Sequence, residues 1–524
     1  MILTKETINA YNRSRNCVND SIVCHAPVTN LNFEQTGDVR ACCYNYKHVL
    51  GKWPQQSIKQ IWTGEKVKAL RGFVAANDLG GGCIECGKMI ENGNYQGVRA
   101  KYYDEFATGF LRQKIADVKN SFTGAITYPK VMEFELSNTC NLECVMCNGS
   151  FSSSIRKNRE KLPPIISPYN EKFVDELEEF IPHLTDAKFL GGEPFMIDIY
   201  LSIWERILKI NPNVRIHITT NGTFLNNRIK DLLAGLKAGI ILSIDSVVKD
   251  TYSKIRVNGN YEKVMENLTY FIEYTRQKKT FISMAACPIT YNWKELPGML
   301  EFCLERDITL YFNVVFTPFS LSLRELPVEE LKEVIAYLEN YQLPELKGGA
   351  DSPRNLSIKA YVDYINLLKG WLQEKQAPAK PVVMEELAGQ HAEVVPAESI
   401  EQLEIEIAKT VTRQLELEAG GFTEDQRVLQ NRLSELLLST PKGDVVRSLQ
   451  CVVKTVDNYQ GRVTEVASLT KLEKIASLIE GHEHRNNVLR TMAQGQPSVL
   501  TSFINQMELS QLQEYFNAQF NGQV

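Results

Sequence analysis

Short apolar runs and longer amphipathic stretches alternate between residues 131 and 316. The runs at 131–136, 187–191, 214–220, 239–245, 280–287 and 308–315 are rich in β-branched and aromatic side chains. They read as strands. Between them, 171–181, 201–210, 261–276 and 293–305 repeat apolar residues at helical spacing. Strand and helix in turn predict βα units and a parallel sheet. Six such units make three quarters of an eight-unit barrel, where reactive groups sit at the carboxyl ends of the strands. Ahead of them, 29–35 and 38–42 read as two short strands turning at Gly37. After Pro327 the pattern is helical, beginning with 328–341. Residues 374–399, rich in Ala, Pro, Glu and Val, read as a linker, and 400–520 as helix with little strand signal.

The predicted fold class is α/β: a partial (β/α)6 barrel with a small N-terminal Cys-rich metal module and an all-α C-terminal domain. The expected divisions are 1–124 for the module, 125–345 for the barrel, 346–399 for a helix and acidic Pro/Ala-rich linker, and 400–524 for the helical domain.

Composition narrows this little. The chain has 524 residues, 44% apolar and 23% charged, which excludes wholesale disorder. A net charge of −5 argues against a non-specific nucleic-acid binder, so nucleic acid is not an expected partner. No run of about 18 uncharged apolar residues is present, so no membrane association is expected. The first residues lack the apolar region of a signal peptide, and a cytoplasmic location is expected. A reducing compartment keeps the 12 cysteines as thiols. From Met384 to Glu418, nine acidic residues face two basic ones, a pattern read as solvated linker and exposed helix face.

The cysteines carry the chemistry. Cys140, Cys144 and Cys147 lie on one segment directly after the first predicted barrel strand. A structural zinc needs four protein ligands. Three thiolates suit three irons of an iron–sulfur cube, with the fourth open to an exogenous ligand. Upstream, Cys24, Cys42, Cys83 and Cys86 form two separated groups that can close a full coordination shell, for a cluster or for a zinc ion. Sequence does not separate Cys42 from the adjacent Cys43, and Cys17 is a spare that ligates or packs. Cys287, Cys303 and Cys451 lie in apolar contexts and read as buried small hydrophobes. His482 and His484 read as a surface pair.

The C-x3-C-x2-C spacing after a first barrel strand resembles the radical S-adenosylmethionine (SAM) superfamily over about residues 125–320. Met146 stands where the family usually has an aromatic residue near the adenine. Gly191, Gly192, Glu193 and Pro194 look like the family's GGEP motif, whose backbone and Glu hold the SAM amino group. Two glycines allow close backbone approach, and a carboxylate suits an ammonium. Asn221, Ser243 and Asp245 end the third and fourth strands, beside SAM by the same resemblance. Arg256 resembles an arginine that meets the SAM carboxylate, with a surface arginine as the bland reading. Asn292 is a similar candidate. The C-x12-G-x4-C run from Cys24 to Cys42 is similar to the opening of the SPASM/twitch auxiliary-cluster module, and residues 57–71 look like its helix. In this chain the module precedes the barrel instead of following it, and the later C-x5-C-x3-C run of a full SPASM domain is missing.

The resemblance implies a 4Fe–4S cluster that binds SAM, SAM itself and a second, auxiliary 4Fe–4S cluster. It implies reductive cleavage of SAM to a 5′-deoxyadenosyl radical that abstracts hydrogen. The expected reaction is oxidation or crosslinking of a peptide or protein, with an electron donor such as flavodoxin or ferredoxin. The alternatives are a dehydrogenase of a small alcohol or sugar, and a non-catalytic metal-stabilised scaffold that binds a partner through its helical tail. No catalytic side chain is assigned from the sequence.

Overall fold

The computed structural model describes residues 1–15, 22–45, 48–95, 97–106, 128–376, 400–418, 433, 435–440, 444–459, 466–480 and 501. Cys17, most of the expected linker and the His482/His484 pair lie outside the described residues. The chain forms two compact units, Met1–Pro378 and Ala379–Val524.

The first unit is built on one sheet. Its strands are β1 (Asn30–Glu34), β2 (Asp38–Arg40), β3 (Gly51–Lys52), β4 (Val131–Glu135), β5 (Asp186–Phe189), β6 (Arg215–Thr220), β7 (Ala238–Ser243), β8 (Ile282–Ala286) and β9 (Thr309–Phe312). Their spatial order is β3-β2-β1-β4-β5-β6-β7-β8-β9. From β4 to β9 each strand pairs in parallel with the next, joined through helices. That is the connection parallel strands require. The N-terminal hairpin turns at Gly37, whose φ is +91°. A Cβ there would lie 2.2 Å from the Trp53 carbonyl oxygen, so only glycine fits. β1 then pairs in parallel with β4, so the cysteine-rich N-terminal segment extends the same sheet.

Alternation within each strand sorts the two faces. Leu31, Phe33, Met132, Phe134, Ala187, Phe189, Ile216, Ile218, Ile240 and Leu242 face the helices in one continuous core. Phe33 stacks on Phe134 at 5.5 Å, and both meet Phe173 edge-on. The opposite face is polar: Asn32, Glu133, Lys188 and His217 stand side by side in register across β1, β4, β5 and β6. At the far edge, the Leu310 N–H of β9 donates to Ser357 Oγ of the helix Pro353–Gln376. That bond helps cover an edge strand that would otherwise invite pairing.

The second unit has helices at Ile400–Glu418, Val445–Tyr459 and Val466–Glu480. Leu403, Ile407, Val411 and Leu415, spaced three or four apart, pack on Leu449, Val452, Val456 and Ile475. No helix among the described residues is long and apolar enough to cross a membrane.

Candidate functional site

Two cysteine centres lie on the first unit. The first occupies the loop that leaves β4. Hydroxyl groups pin this loop: Cys140 N–H donates to Ser153 Oγ at 3.1 Å, and Ser152 Oγ donates to the Leu142 carbonyl at 2.6 Å. The N–H groups of Glu143 and Val145 reach the carbonyls of Val257 and Ile255. Burial pushes the Cys147 thiol up to about 12, with the thiolate charges of Cys144 and Cys140 adding to it. The three sulfurs therefore feel one another.

Around this loop stand the tips of the next strands. Gly192 and Glu193 donate their N–H groups to the carbonyls of Ser137 and Thr139 at 3.0 and 2.7 Å. Gly191 has φ +111°, and a Cβ on Gly192 would lie 2.2 Å from the Thr139 oxygen. The two glycines thus seat one strand tip against the cysteine loop. Glu193 is 0% exposed. It accepts from Phe195 N–H, Thr220 Oγ1 and Asn221 N–H at 3.1, 2.7 and 2.7 Å, tying the ends of β5 and β6 together. Burial lifts its carboxyl to about 7 despite these donors. Asn221 Nδ2 lies 3.8 Å from the Cys140 sulfur and 3.1 Å from Asn141 Oδ1.

Arg256 is no surface arginine: it is 8% exposed, and its Nε donates to Asp245 Oδ2 at 2.5 Å. The positive charge of the same guanidinium opposes the upward push of burial on the Cys144 thiol. Asp245 also accepts from the Cys287 N–H at 2.7 Å, and Asn292 Nδ2 donates to the Asp245 carbonyl at 2.7 Å. Asn292 is thus a brace within the fold. Ser243 is half-buried at the end of β7, in register with Ala285. Met146 packs with Cys287 on an apolar cluster of Ile255, Ile289, Val315 and Leu321. Cys287 therefore borders this centre, whereas Cys303 is a core thiol against Met284 and Cys451 packs on the helical unit.

The second centre is a small cavity lined by Cys24, Cys42, Cys83 and Cys86, with Asn45, Arg99 and Tyr103 among its other walls. Cys43 is not in that lining and is exposed. Cys83 caps the helix Ile84–Glu91, which brings Cys86 one turn later. A helix start favours thiolate. Asn45 Nδ2 donates to the Cys83 sulfur and Ala26 N–H to the Cys24 sulfur, both at 3.4 Å. Burial pushes the Cys83 thiol up to about 12, and the charges of Cys42 and Cys86 add to it. Four thiols, one buried and three half-buried, that resist ionisation are matched by a centre bringing its own positive charge. Among the described residues no three His, Cys, Asp or Glu side chains converge closely enough to share one metal ion. The described lining offers four thiols and no carboxylate or imidazole, a donor set that fits an iron–sulfur cube.

Sequence reading missed the charged face of the sheet. Glu133 is 1% exposed and lies 2.6 Å from Arg99 Nη2 and 3.4 Å from Lys188 Nζ. The signal was present as alternation, with Glu133 and Glu135 two residues apart in one strand. Burial, then the charges of Glu34 and Glu133, lifts the Glu135 carboxyl from 4.5 to about 7. The folded chain thus keeps a proton the unfolded chain has lost, and stability falls as pH rises through that window. Glu135→Gln is expected to match the parent at pH 5 and to exceed it at pH 8 by on the order of 1–2 kcal/mol. Urea unfolding followed by tryptophan fluorescence checks this, since all five tryptophans lie in the first unit. Equal midpoint differences at both pH values would refute it.

Comparison with known proteins agrees with this geometry. Residues 134–303 match the model of the radical SAM superfamily, and residues 24–87 match that of the SPASM iron–sulfur cluster-binding domain. A probable GTP 3′,8-cyclase of Methanocaldococcus jannaschii is 30% identical over 216 residues, 38% of this chain and 66% of that protein. The GTP 3′,8-cyclase of Helicobacter pylori is 24% identical over 252 residues, 46% of this chain and 71% of that one. The chain spans just under two thirds of the first of these, and 36% of a Halobacterium salinarum relative of the same name. Among solved structures, SuiB of Streptococcus suis bound to S-adenosylmethionine has a TM-score of 0.32 at 16% identity, covering 49% of this chain and 57% of that one. The two domains imply 4Fe–4S clusters and SAM. The chain thus carries a radical SAM superfamily domain over residues 134–303 and, ahead of it, an iron–sulfur cluster-binding SPASM domain over residues 24–87, the domains of a SAM-dependent iron–sulfur enzyme.

Proposed function

We propose that the first unit is a radical SAM enzyme whose parallel strands β4 to β9 form a (β/α)6 partial barrel, with residues 400–524 a separate all-α domain. Cys140, Cys144 and Cys147 would hold the SAM-binding cluster. Cys24, Cys42, Cys83 and Cys86 would hold the auxiliary one, with Cys42 preferred to Cys43 because it lines their cavity. When bound and reduced, the first cluster supplies the electron that cleaves SAM to methionine and a 5′-deoxyadenosyl radical, which takes hydrogen from substrate. The chain's own residues do the holding. Gly191, Gly192, Glu193 and Asn221 shape one flank of the SAM site, and Ser243, Asp245 and Arg256 the other. Met146 offers a soft apolar contact to an adenine. The Arg256 charge is fixed by Asp245 beside Cys144, where a carboxylate is well received.

The observation that carries this reading is the placing of three cysteines on the β4 loop, braced by the tips of β5, β6 and β7. An auxiliary centre with four cysteines leaves no open iron, which suits an electron acceptor and therefore a net oxidation. A peptide or protein substrate is favoured by exposed Phe151, Phe224, Tyr291 and Phe316, which sit on loops following β4, β6, β8 and β9. Those loops lie at the carboxyl ends of the strands, the side on which this fold class presents its reactive groups. The relatives named GTP 3′,8-cyclase support a second reading, a nucleotide substrate. A flavodoxin or ferredoxin would be the reductant, in the cytoplasm where such thiols stay reduced.

The test is anaerobic reconstitution with iron and sulfide, then dithionite and SAM. About eight irons per chain and slow release of 5′-deoxyadenosine are expected. Reduced, cluster-loaded protein that releases none would overturn the enzyme reading. Stimulation by GTP but not by a tyrosine-, lysine- and cysteine-bearing peptide pool would favour the nucleotide.

A further inference from the structure

One side chain joins the four-cysteine cavity to the polar face of the sheet. Arg99 opens a short 3-10 turn, Arg99–Tyr103, and lines the cavity. The backbone amides of Arg99 and Ala100 act on the Cys86 thiol against the upward push of burial. From the cavity wall, the Arg99 guanidinium reaches Glu133 Oε1 of β4 through Nη2 at 2.6 Å. It lies over the Tyr102 ring at 4.6 Å. Glu133 itself is fully enclosed and shared with Lys188 Nζ at 3.4 Å and Tyr103 Oη at 3.4 Å. The Arg99 Nε is buried without a hydrogen-bond partner among the described residues. An enclosed donor on a permanent cation is costly to leave unmade, and the sulfurs of a cluster would be acceptors for it.

We propose that Arg99 sets the reduction potential of the cluster held by Cys24, Cys42, Cys83 and Cys86, and that Glu133 of β4 holds Arg99 in place and offsets its charge. The inference rests on reading those cysteines as cluster ligands. Net charge and hydrogen bonds to sulfur are the levers that set such potentials. A cluster gains negative charge on reduction, so a nearby cation favours the reduced form and raises the potential. Glu133 works the other way. Both are positioning residues; neither is a ligand.

The opposed signs make the test. Cys140, Cys144 and Cys147 are first replaced by Ala in the full-length chain, so that the auxiliary cluster alone gives an electron paramagnetic resonance signal. Redox titration of that signal is then compared in Arg99→Met, Arg99→Lys and Glu133→Gln. Arg99→Met is expected to shift the oxidised-to-reduced ratio at fixed potential by about tenfold towards oxidised, about 59 mV for one electron. Arg99→Lys keeps the charge and shifts less in the same direction. Glu133→Gln shifts the ratio towards reduced. If Arg99→Met takes up no iron, the other two variants decide. Unshifted potentials, or shifts of one sign in all variants, overturn the role of Arg99. A parent that holds no iron overturns the auxiliary cluster itself, and this inference with it.

Discussion

Replacing Cys140, Cys144 and Cys147 together with alanine is expected to remove about four of eight irons per chain and to lower 5′-deoxyadenosine release at least 100-fold. The same replacement at Cys24, Cys42 and Cys83 is expected to remove the other four irons and to leave SAM cleavage within about threefold of the parent. The asymmetry follows from ligand count. Three thiolates leave one iron of a cube open to SAM, whereas four leave none. It follows also from position. The first trio stands on the β4 loop among Glu193, Asn221 and the Asp245–Arg256 pair. The second set surrounds its own cavity, walled by Tyr103 and Asn45. Iron analysis and chromatographic assay of 5′-deoxyadenosine read both outcomes. Circular dichroism guards against a trivial cause, because Cys24 and Cys42 also pack with Tyr103, Phe106 and Val131. SAM cleavage that survives loss of the first trio, or vanishes only with the second, would reverse the assignment.

Much of this architecture was legible in the residue pattern. The six predicted strands each overlap one of β4 to β9, β5 and β7 starting one residue earlier than predicted, because buried parallel strands are short β-branched runs that stand out between amphipathic helices. The hairpin at Gly37 was legible for a different reason: a positive-φ turn requires the one residue that tolerates it. What pattern could not give was the pairing of β1 with β4. Their parallel register is a contact between segments about 100 residues apart, and neither strand's side chains specify the partner. The consequence is functional. That pairing sets Asn32 beside Glu133, so the charged face that Arg99 of the four-cysteine cavity reaches exists only in the folded sheet. Arg256 shows the same limit. Its motif left a surface arginine as plausible as a site residue, and only burial beside Asp245 and Cys144 separates the two.

A single methyl group placed at Gly192 should undo the first centre without touching a ligand. The Cβ of Gly192→Ala would stand 2.2 Å from the Thr139 carbonyl oxygen and 2.7 Å from the Asn138 carbonyl carbon. These are backbone atoms of the residues leading directly into Cys140, so no rotamer change relieves the clash. Either the tip of β5 or the cysteine loop must move, and both are held by the Glu193–Thr139 and Gly192–Ser137 hydrogen bonds. Overpacking of this kind typically costs about 1–3 kcal/mol, and at backbone the upper end applies. The expected result is a folded protein that retains about four irons, all at the four-cysteine centre, and releases 5′-deoxyadenosine at least 100-fold more slowly. Gly298→Ala is the matched control. It lies within the helix Leu296–Arg306 with nothing within 4 Å of the added methyl, and it should raise stability by about 0.5–1 kcal/mol through helix preference alone. Gly192→Ala protein with the full complement of iron and undiminished SAM cleavage would mean that the β5 tip does not set the geometry of the cysteine loop, and that the paired glycines do not seat it.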